Sequence, residues 1–284
     1  MAKPSTSYLV RLIRFSRLLL HVVTGLAIVR FAFPFFSLRR RDQAIVRWAG
    51  KLLSILNIHL ELRGNAPVNN GSGCIIVANH ISWLDIFLIH TVLPARFVAK
   101  SEIRDWPVMG WLCAKTGTLF IERTQRRHTA KINQTMRDVV TSGGTVGLFP
   151  EGTTTRGDRL KKLHSSLFQA AVESDVFLAP VAIRYIDEKG ARSEAPAYVD
   201  ETSLLQSLAQ ILAMPRLHAV MHFAPPIGTA GKTRRELTRE VEHTLTGLLY
   251  PMESSEVLAT ETSGSTTPNI PYRTSEKLTD PLTE

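Results

Sequence analysis

Cysteine is scarce in this 284-residue chain, where Cys74 and Cys113 stand without C-x-x-C or Cys/His ligand spacing around them. That pattern excludes a disulfide framework, gives no zinc site, and fits a catalytic domain facing a reducing cytoplasm. No metal is expected. The G-x-S-x-G elbow of serine hydrolases is also missing. No small-residue cleavage site follows the apolar N-terminal stretch, so it is not read as a signal peptide. Internal repeats are absent. Aromatic residues make up 7% and do not alternate with basic ones, so nucleic acid is not an expected partner.

What the chain does have is a lopsided charge. Residues 1–64 carry eleven Lys/Arg and two acids, an excess equal to the net charge of +9 of the whole chain. The remainder is neutral on balance, so the basic character belongs to whatever the N-terminus touches. A mean hydropathy of +0.01 is high for a chain with 21% charged residues and leaves apolar surface over for lipid. Between Arg17 and Arg39 runs LLLHVVTGLAIVRFAFPFFSL, long enough to span a bilayer but interrupted by His21, Arg30 and Pro34. Basic flanks on both sides give the positive-inside preference nothing to choose between. A segment lying along or dipping into the cytoplasmic face meets both conditions, each near-surface Lys or Arg adding about 1 kcal/mol. A single transmembrane anchor is the alternative.

From Gly73 to Tyr250 short β-branched runs alternate with helical stretches, which predicts an α/β fold, a layered mixed sheet flanked by helices. Strands are expected at 74–79, 95–100, 118–123, 145–150, 177–186 and 217–223. Helices are expected at 82–93, 107–117, 128–143, 165–174, 203–214 and 233–250. The domains read as a basic, apolar membrane-associated segment over 1–52, a catalytic domain over 53–250, and a Ser/Thr/Pro/Glu-rich tail over 251–284 expected to be disordered.

Three clusters sit where strands end, the place where ligands bind in an open α/β sheet. The first is Asn79-His80-Ile81-Ser82-Trp83-Leu84-Asp85. On one continuous helix His80 and Asp85 would point roughly 140° apart. If the helix begins at Ser82, His80 lies before it and its ring folds back onto Asp85, giving a carboxylate-oriented base for an alcohol. Ser82 and Asp85 also form an S-x-x-D helix cap, which explains the acid without catalysis. The second cluster is Gly117-Thr118-Leu119-Phe120-Ile121-Glu122-Arg123, with a guanidinium fork suited to phosphate or carboxylate. The third, Phe149-Pro150-Glu151-Gly152-Thr153-Thr154-Thr155-Arg156, is a Pro/Gly turn dense in hydroxyls, where Gly152 lets backbone N–H groups approach an anion.

NHISWLD, GTLFIER, FPEGTTT and the Pro180-Val181 step, in this order and spacing, resemble the four blocks of the glycerolipid acyltransferase family that includes 1-acylglycerol-3-phosphate acyltransferases. The similarity runs from about Leu53 to Leu249 and takes in Lys100, Pro107 and Gly110. It implies that His80 and Asp85 are the catalytic pair and that Lys100, Arg123, Glu151, Gly152 and Thr153 bind the acceptor. It further implies acyl transfer from acyl-coenzyme A or acyl-carrier protein to a lysophospholipid hydroxyl, first of all 1-acyl-sn-glycerol-3-phosphate. No cofactor beyond that co-substrate is implied. Membrane lipid is the expected partner, and the cytoplasmic face of the cell membrane the expected location.

Two departures bear on the acceptor. Position 154 is Thr where the family continues with Arg, and no basic residue followed by Gly stands in register near Leu163-His164-Ser165-Ser166. Losing an arginine weakens a phosphate monoester site. The variant blocks resemble those of bacterial lyso-ornithine lipid acyltransferases, so that acceptor stays open. A lipase or thioesterase is the reading from another class, since the same imidazole can activate water.

Overall fold

The computed structural model describes residues 5–68, 71–121, 126–187, 190–250 and 272–273. It opens with α1 (Tyr8–Ala27), capped by the Ser7 hydroxyl, which runs on through a π turn at Ile28–Ala32 and a 3-10 turn at Phe33–Phe35. Pro34 lacks the N–H that would continue the helix, and the chain turns a corner there. Ser37 then caps α2 (Leu38–Ile55). The boundary expected after residue 52 therefore falls inside a helix, because Leu52, Leu53 and Ile55 are buried against the sheet.

The chain continues through β1 (Ile58–Arg63), the short β2 (Ala66–Pro67), β3 (Cys74–Ala78), α3 (Leu84–Val92), β4 (Arg96–Lys100), a 3-10 turn at Ser101–Asp105, α4 (Met109–Lys115) and β5 (Leu119–Ile121). Next come α5 (Arg126–Thr141), β6 (Thr145–Leu148), a 3-10 turn at Ser165–Phe168, α6 (Gln169–Ser174), β7 (Leu178–Ile186), α7 (Leu204–Ala213), β8 (Leu217–Phe223) and α8 (Arg234–Leu249). Of the expected tail only β9 (Tyr272–Arg273) is described, paired antiparallel to β2; the rest of 251–284 lies outside the described residues.

Seven strands form one mixed sheet in the order β1-β8-β7-β3-β6-β4-β5, with β7 and β8 antiparallel and every other neighbour pair parallel. β3 is central and buried on both faces, which is why CIIVA reads as an unbroken apolar run. Alternation along the strands divides the core in two. Ile76 and Ala78 of β3, with Val181, Ile183 and Tyr185 of β7, face α2, α3 and α7. Ile75 and Val77 of β3 face α5, α6 and α8, the last presenting Leu237, Val241 and Leu245 at helical spacing. The five mutually parallel strands end on one edge, where the first and third motif clusters follow β3 and β6; β5 lies within the second, whose Glu122 and Arg123 are outside the described residues.

The N-terminal helices are built onto this core. Thr6 N–H donates to the Ala213 carbonyl at 2.9 Å, and Arg14 donates to the Met214 and Pro215 carbonyls, pinning α1 to the end of α7. His21 and Trp48 stack at 4.5 Å and each ring meets the other's backbone carbonyl. Gly25 allows this approach, since a Cβ there would lie 2.5 Å from Trp48 Nε1. The outer flank is left bare: Tyr8, Leu9, Leu20, Phe31 and Phe35 are exposed. By length and composition Tyr8–Phe35 is the one described helix able to cross a membrane. Gly25→Val should displace Trp48 and lower stability by about 2 kcal/mol, measured by chemical denaturation in detergent, despite the better helix propensity of valine.

Candidate active site

β3 ends at Ala78, and two backbone-directed side chains then fix the turn before α3. The Asn79 amide spans to β7, donating to the Ile183 carbonyl at 2.9 Å and accepting from its N–H at 2.7 Å. Glu151, at the end of β6, accepts from His80 N–H at 2.8 Å through one oxygen and from Lys161 N–H at 2.8 Å through the other. Thr155 N–H donates to the His80 carbonyl at 2.8 Å. His80 thus has both backbone groups held by the block that follows β6.

The ring of His80 folds back as the motif spacing requires. Its Nδ1 lies 2.8 Å from Asp85 Oδ2, an oxygen that also accepts from Ile81 N–H at 2.7 Å and Ser82 N–H at 2.9 Å. Asp85 Oδ1 accepts from the Tyr185 hydroxyl at 2.7 Å. The helix begins at Leu84, two residues later than the Ser82 start expected, because the Asp85 carboxylate draws the preceding N–H groups onto itself. Capping and imidazole orientation are one arrangement here. Ser82 supplies the weaker half, accepting from Leu84 N–H at 3.3 Å.

Asp85 is fully buried while the His80 side chain keeps 19% exposure. With Nδ1 donating to the carboxylate, Nε2 is left as the acceptor, and His80 lines a cavity of about 970 Å3. One face of the ring stacks on Phe149 at 4.0 Å, Phe149 stacks on Phe97 at 5.5 Å, and Phe97 meets the edge of His90 at 5.2 Å. Burial and the Asp85 charge push the Tyr185 phenol well above its ordinary value, so it remains a donor. Burial raises Glu151, opposed by its two backbone donors.

The cavity is closed on one side by Leu18, Val22, Val29 and Phe33 from the N-terminal segment and by Trp48 and Leu52 from α2. Its mouth is charged. Lys100, Arg156, Arg159 and Lys161 line it together with Glu102, Asp158 and Asp200. Arg156 is tied to Asp200 and lies 3.7 Å from Glu194, whereas the side chains of Lys100, Arg159 and Lys161 form no ion pair among the described residues.

Of the sequence candidates, His80, Lys100, Gly152 and Thr153 line this cavity, and Asp85 sits directly behind His80. Glu151, read as an acceptor ligand, is 3% exposed with both oxygens on backbone donors, so it holds the turn that carries His80 instead of reaching the cavity. Arg123 lies outside the described residues. Thr154 and Thr155 spend their hydroxyls on the Tyr198 and His80 carbonyls. Sequence reasoning missed Tyr185, whose signal was its place in the 181-183-185 register of a buried strand. It also missed Arg159 and Lys161, in a loop with no periodicity to place them.

The sequence matches the family model described as Acyltransferase over residues 59–184. It is 38% identical over 177 residues to the 1-acyl-sn-glycerol-3-phosphate acyltransferase of Neisseria meningitidis, covering 62% of this chain and 69% of that one. Identity to the lyso-ornithine lipid O-acyltransferase of Pseudomonas aeruginosa is 34% over 249 residues, covering 84% of this chain and 93% of that one. The fold matches the crystal structure of the 1-acyl-sn-glycerophosphate (LPA) acyltransferase of Thermotoga maritima with a TM-score of 0.67 at 19% identity, over 88% of this chain and 97% of that one.

Two outcomes follow from the geometry. Tyr185→Phe should remove a hydrogen bond to a buried carboxylate and cost about 2 kcal/mol in thermal or chemical unfolding. Burial in the cavity wall lowers His90 to about 4. Its folded value lies below the unfolded one near 6.5, so the unfolded chain binds the extra proton and stability is lost as pH falls through that window. His90→Leu should flatten this acid limb in melting temperatures taken between pH 7 and pH 4.

Proposed function

The chain belongs to the acyltransferase family, and we propose that it moves a fatty acyl group from the thioester of acyl-coenzyme A or acyl-carrier protein onto the free hydroxyl of a lysophospholipid. The observation that carries this is the His80–Asp85 contact at 2.8 Å on the wall of a large apolar cavity, with Nε2 turned from the carboxylate. The acceptor hydroxyl gives its proton to Nε2 as its oxygen attacks the thioester carbonyl. The tetrahedral intermediate then expels the thiolate, which recovers the proton from the imidazolium. Asp85 orients the ring and stabilises its charge; Tyr185 and Glu151 hold Asp85 and the turn.

The first acceptor reading is 1-acyl-sn-glycerol-3-phosphate, giving phosphatidic acid, with Lys100, Arg159 and Lys161 as the cations open to its phosphate and Arg123 as a further candidate. A second reading, lyso-ornithine lipid, is supported by the same mouth. Acids share its lining with the cations, Asp200 paired with Arg156 and Asp158 4.0 Å from Arg192, and the relative named for lyso-ornithine lipid is matched over 93% of its length, which supports an acceptor of mixed charge. The exposed flank of α1 and the basic N-terminus support docking on the cytoplasmic face of the membrane.

His80→Ala should lower acyl transfer by about 10²–10⁴-fold while the protein still folds. Asp85→Asn should be milder in rate and also lose about 1 kcal/mol of capping. Purified protein given labelled acyl-coenzyme A or acyl-carrier protein and a panel of lysophosphatidic acid, other lysophospholipids and lyso-ornithine lipid identifies donor and acceptor by chromatography. Free fatty acid released without any acceptor product would reassign the chain to hydrolysis.

A further inference from the structure

Beyond Leu38 five large apolar side chains are exposed among the described residues, and three of them, Trp106, Val108 and Trp111, fall within six positions. They ride on the lip between the Ser101–Asp105 turn and α4. Val108 has φ 66 and ψ −55, and Met109 N–H donates to the Pro107 carbonyl at 2.6 Å. Together these are a γ-turn of the rare, strained hand, here centred on a β-branched residue. The surroundings hold it: Gly110 N–H donates to the Trp106 carbonyl at 2.9 Å, and a Cβ on Gly110 would lie 2.0 Å from the Arg104 carbonyl.

Core packing does not account for this turn. Val108 is 50% exposed at its tip, with indoles on either side. The same lip, through Ile103, Met109, Leu112 and one side of the half-exposed Trp106, walls the cavity that Leu18 and Val29 close from the N-terminal segment. Both exposed apolar surfaces therefore adjoin one cavity. Lys100 and Lys115 flank the lip on either side, and Arg104 stands within it beside Glu102 and Asp105. Indoles at an apolar edge with cations beside them suit the boundary between headgroups and acyl chains.

We propose that residues 101–111 form a second membrane-inserting element, seating Val108 between Trp106 and Trp111 in an anionic bilayer, so that the cavity opens onto lipid between this lip and the N-terminal helices. The inference rests on the lysolipid-acylating reading above. The test uses the full chain with phosphatidylglycerol/phosphatidylcholine vesicles carrying brominated acyl chains, which quench inserted indoles. Tryptophan emission should be quenched, and the W106F/W111F variant should lose most of that quenching. Val108→Gly accepts the positive φ without strain. It should match or exceed the wild-type melting temperature, leave transfer to a detergent-dispersed acceptor unchanged, and weaken vesicle affinity about fivefold.

Equal quenching in W106F/W111F, together with wild-type vesicle affinity for V108G, would overturn the proposal. So would a Trp111 response to acidic acyl-carrier protein with none to vesicles, which would make the lip a protein-docking face. Quenching is read without turnover, so an absence of acyl transfer would count against the proposed reaction and leave the lip result standing.

Discussion

The carboxylate of Asp85 is the constraint around which this structure is arranged. It takes a ring N–H, two backbone N–H groups and a phenol, all between 2.7 and 2.9 Å, from the turn before α3 and from β7. An unpaired buried charge would be expensive, and here each oxygen is occupied. Start of helix, tilt of imidazole and seating of the central strands are thereby one set of bonds. Glu151 repeats the device one strand over, gripping the histidine through its backbone.

How far the sequence announces this depends on how local each contact is. His80 and Asp85 are five residues apart, so a single assumption about where α3 begins brings them together, and the fold bears that assumption out with a start two residues late. The buried strands and the long helices are legible because their apolar periodicity is set by the two-sided sheet. β1 escaped notice although Ile58, Leu60 and Leu62 alternate with polar residues, since it pairs only with β8 at the sheet edge. Tyr185 is 100 positions from its partner, and nothing in strand periodicity says what a phenol will meet.

The FPEGTTT block shows the opposite limit. Its composition suggests an anion site, and its acid and two of its threonines are instead used on backbone groups of the His80 turn and the loop near Tyr198. Residue types suited to binding an anion are also suited to closing a turn, and only distances separate the two uses. Two of the cations that face the cavity without an ion pair among the described residues, Arg159 and Lys161, come from the irregular stretch after it, where sequence pattern carries no direction.

Two of the three residues that interrupt the first apolar segment as a spanning helix, His21 and Pro34, serve its contact with protein, while Arg30 stays exposed over the Phe31 ring. His21 and Gly25 face Trp48, and Pro34 makes the corner that brings α2 back. At the Trp48 contact a polar ring and a gap are turned toward protein, and the apolar flank away from it. Since Leu18, Val22 and Phe33 also wall the cavity, this segment is part of the container as well as the proposed mooring. An unrelated hydrophobic helix grafted in its place would tether the domain and leave its cavity breached along one side.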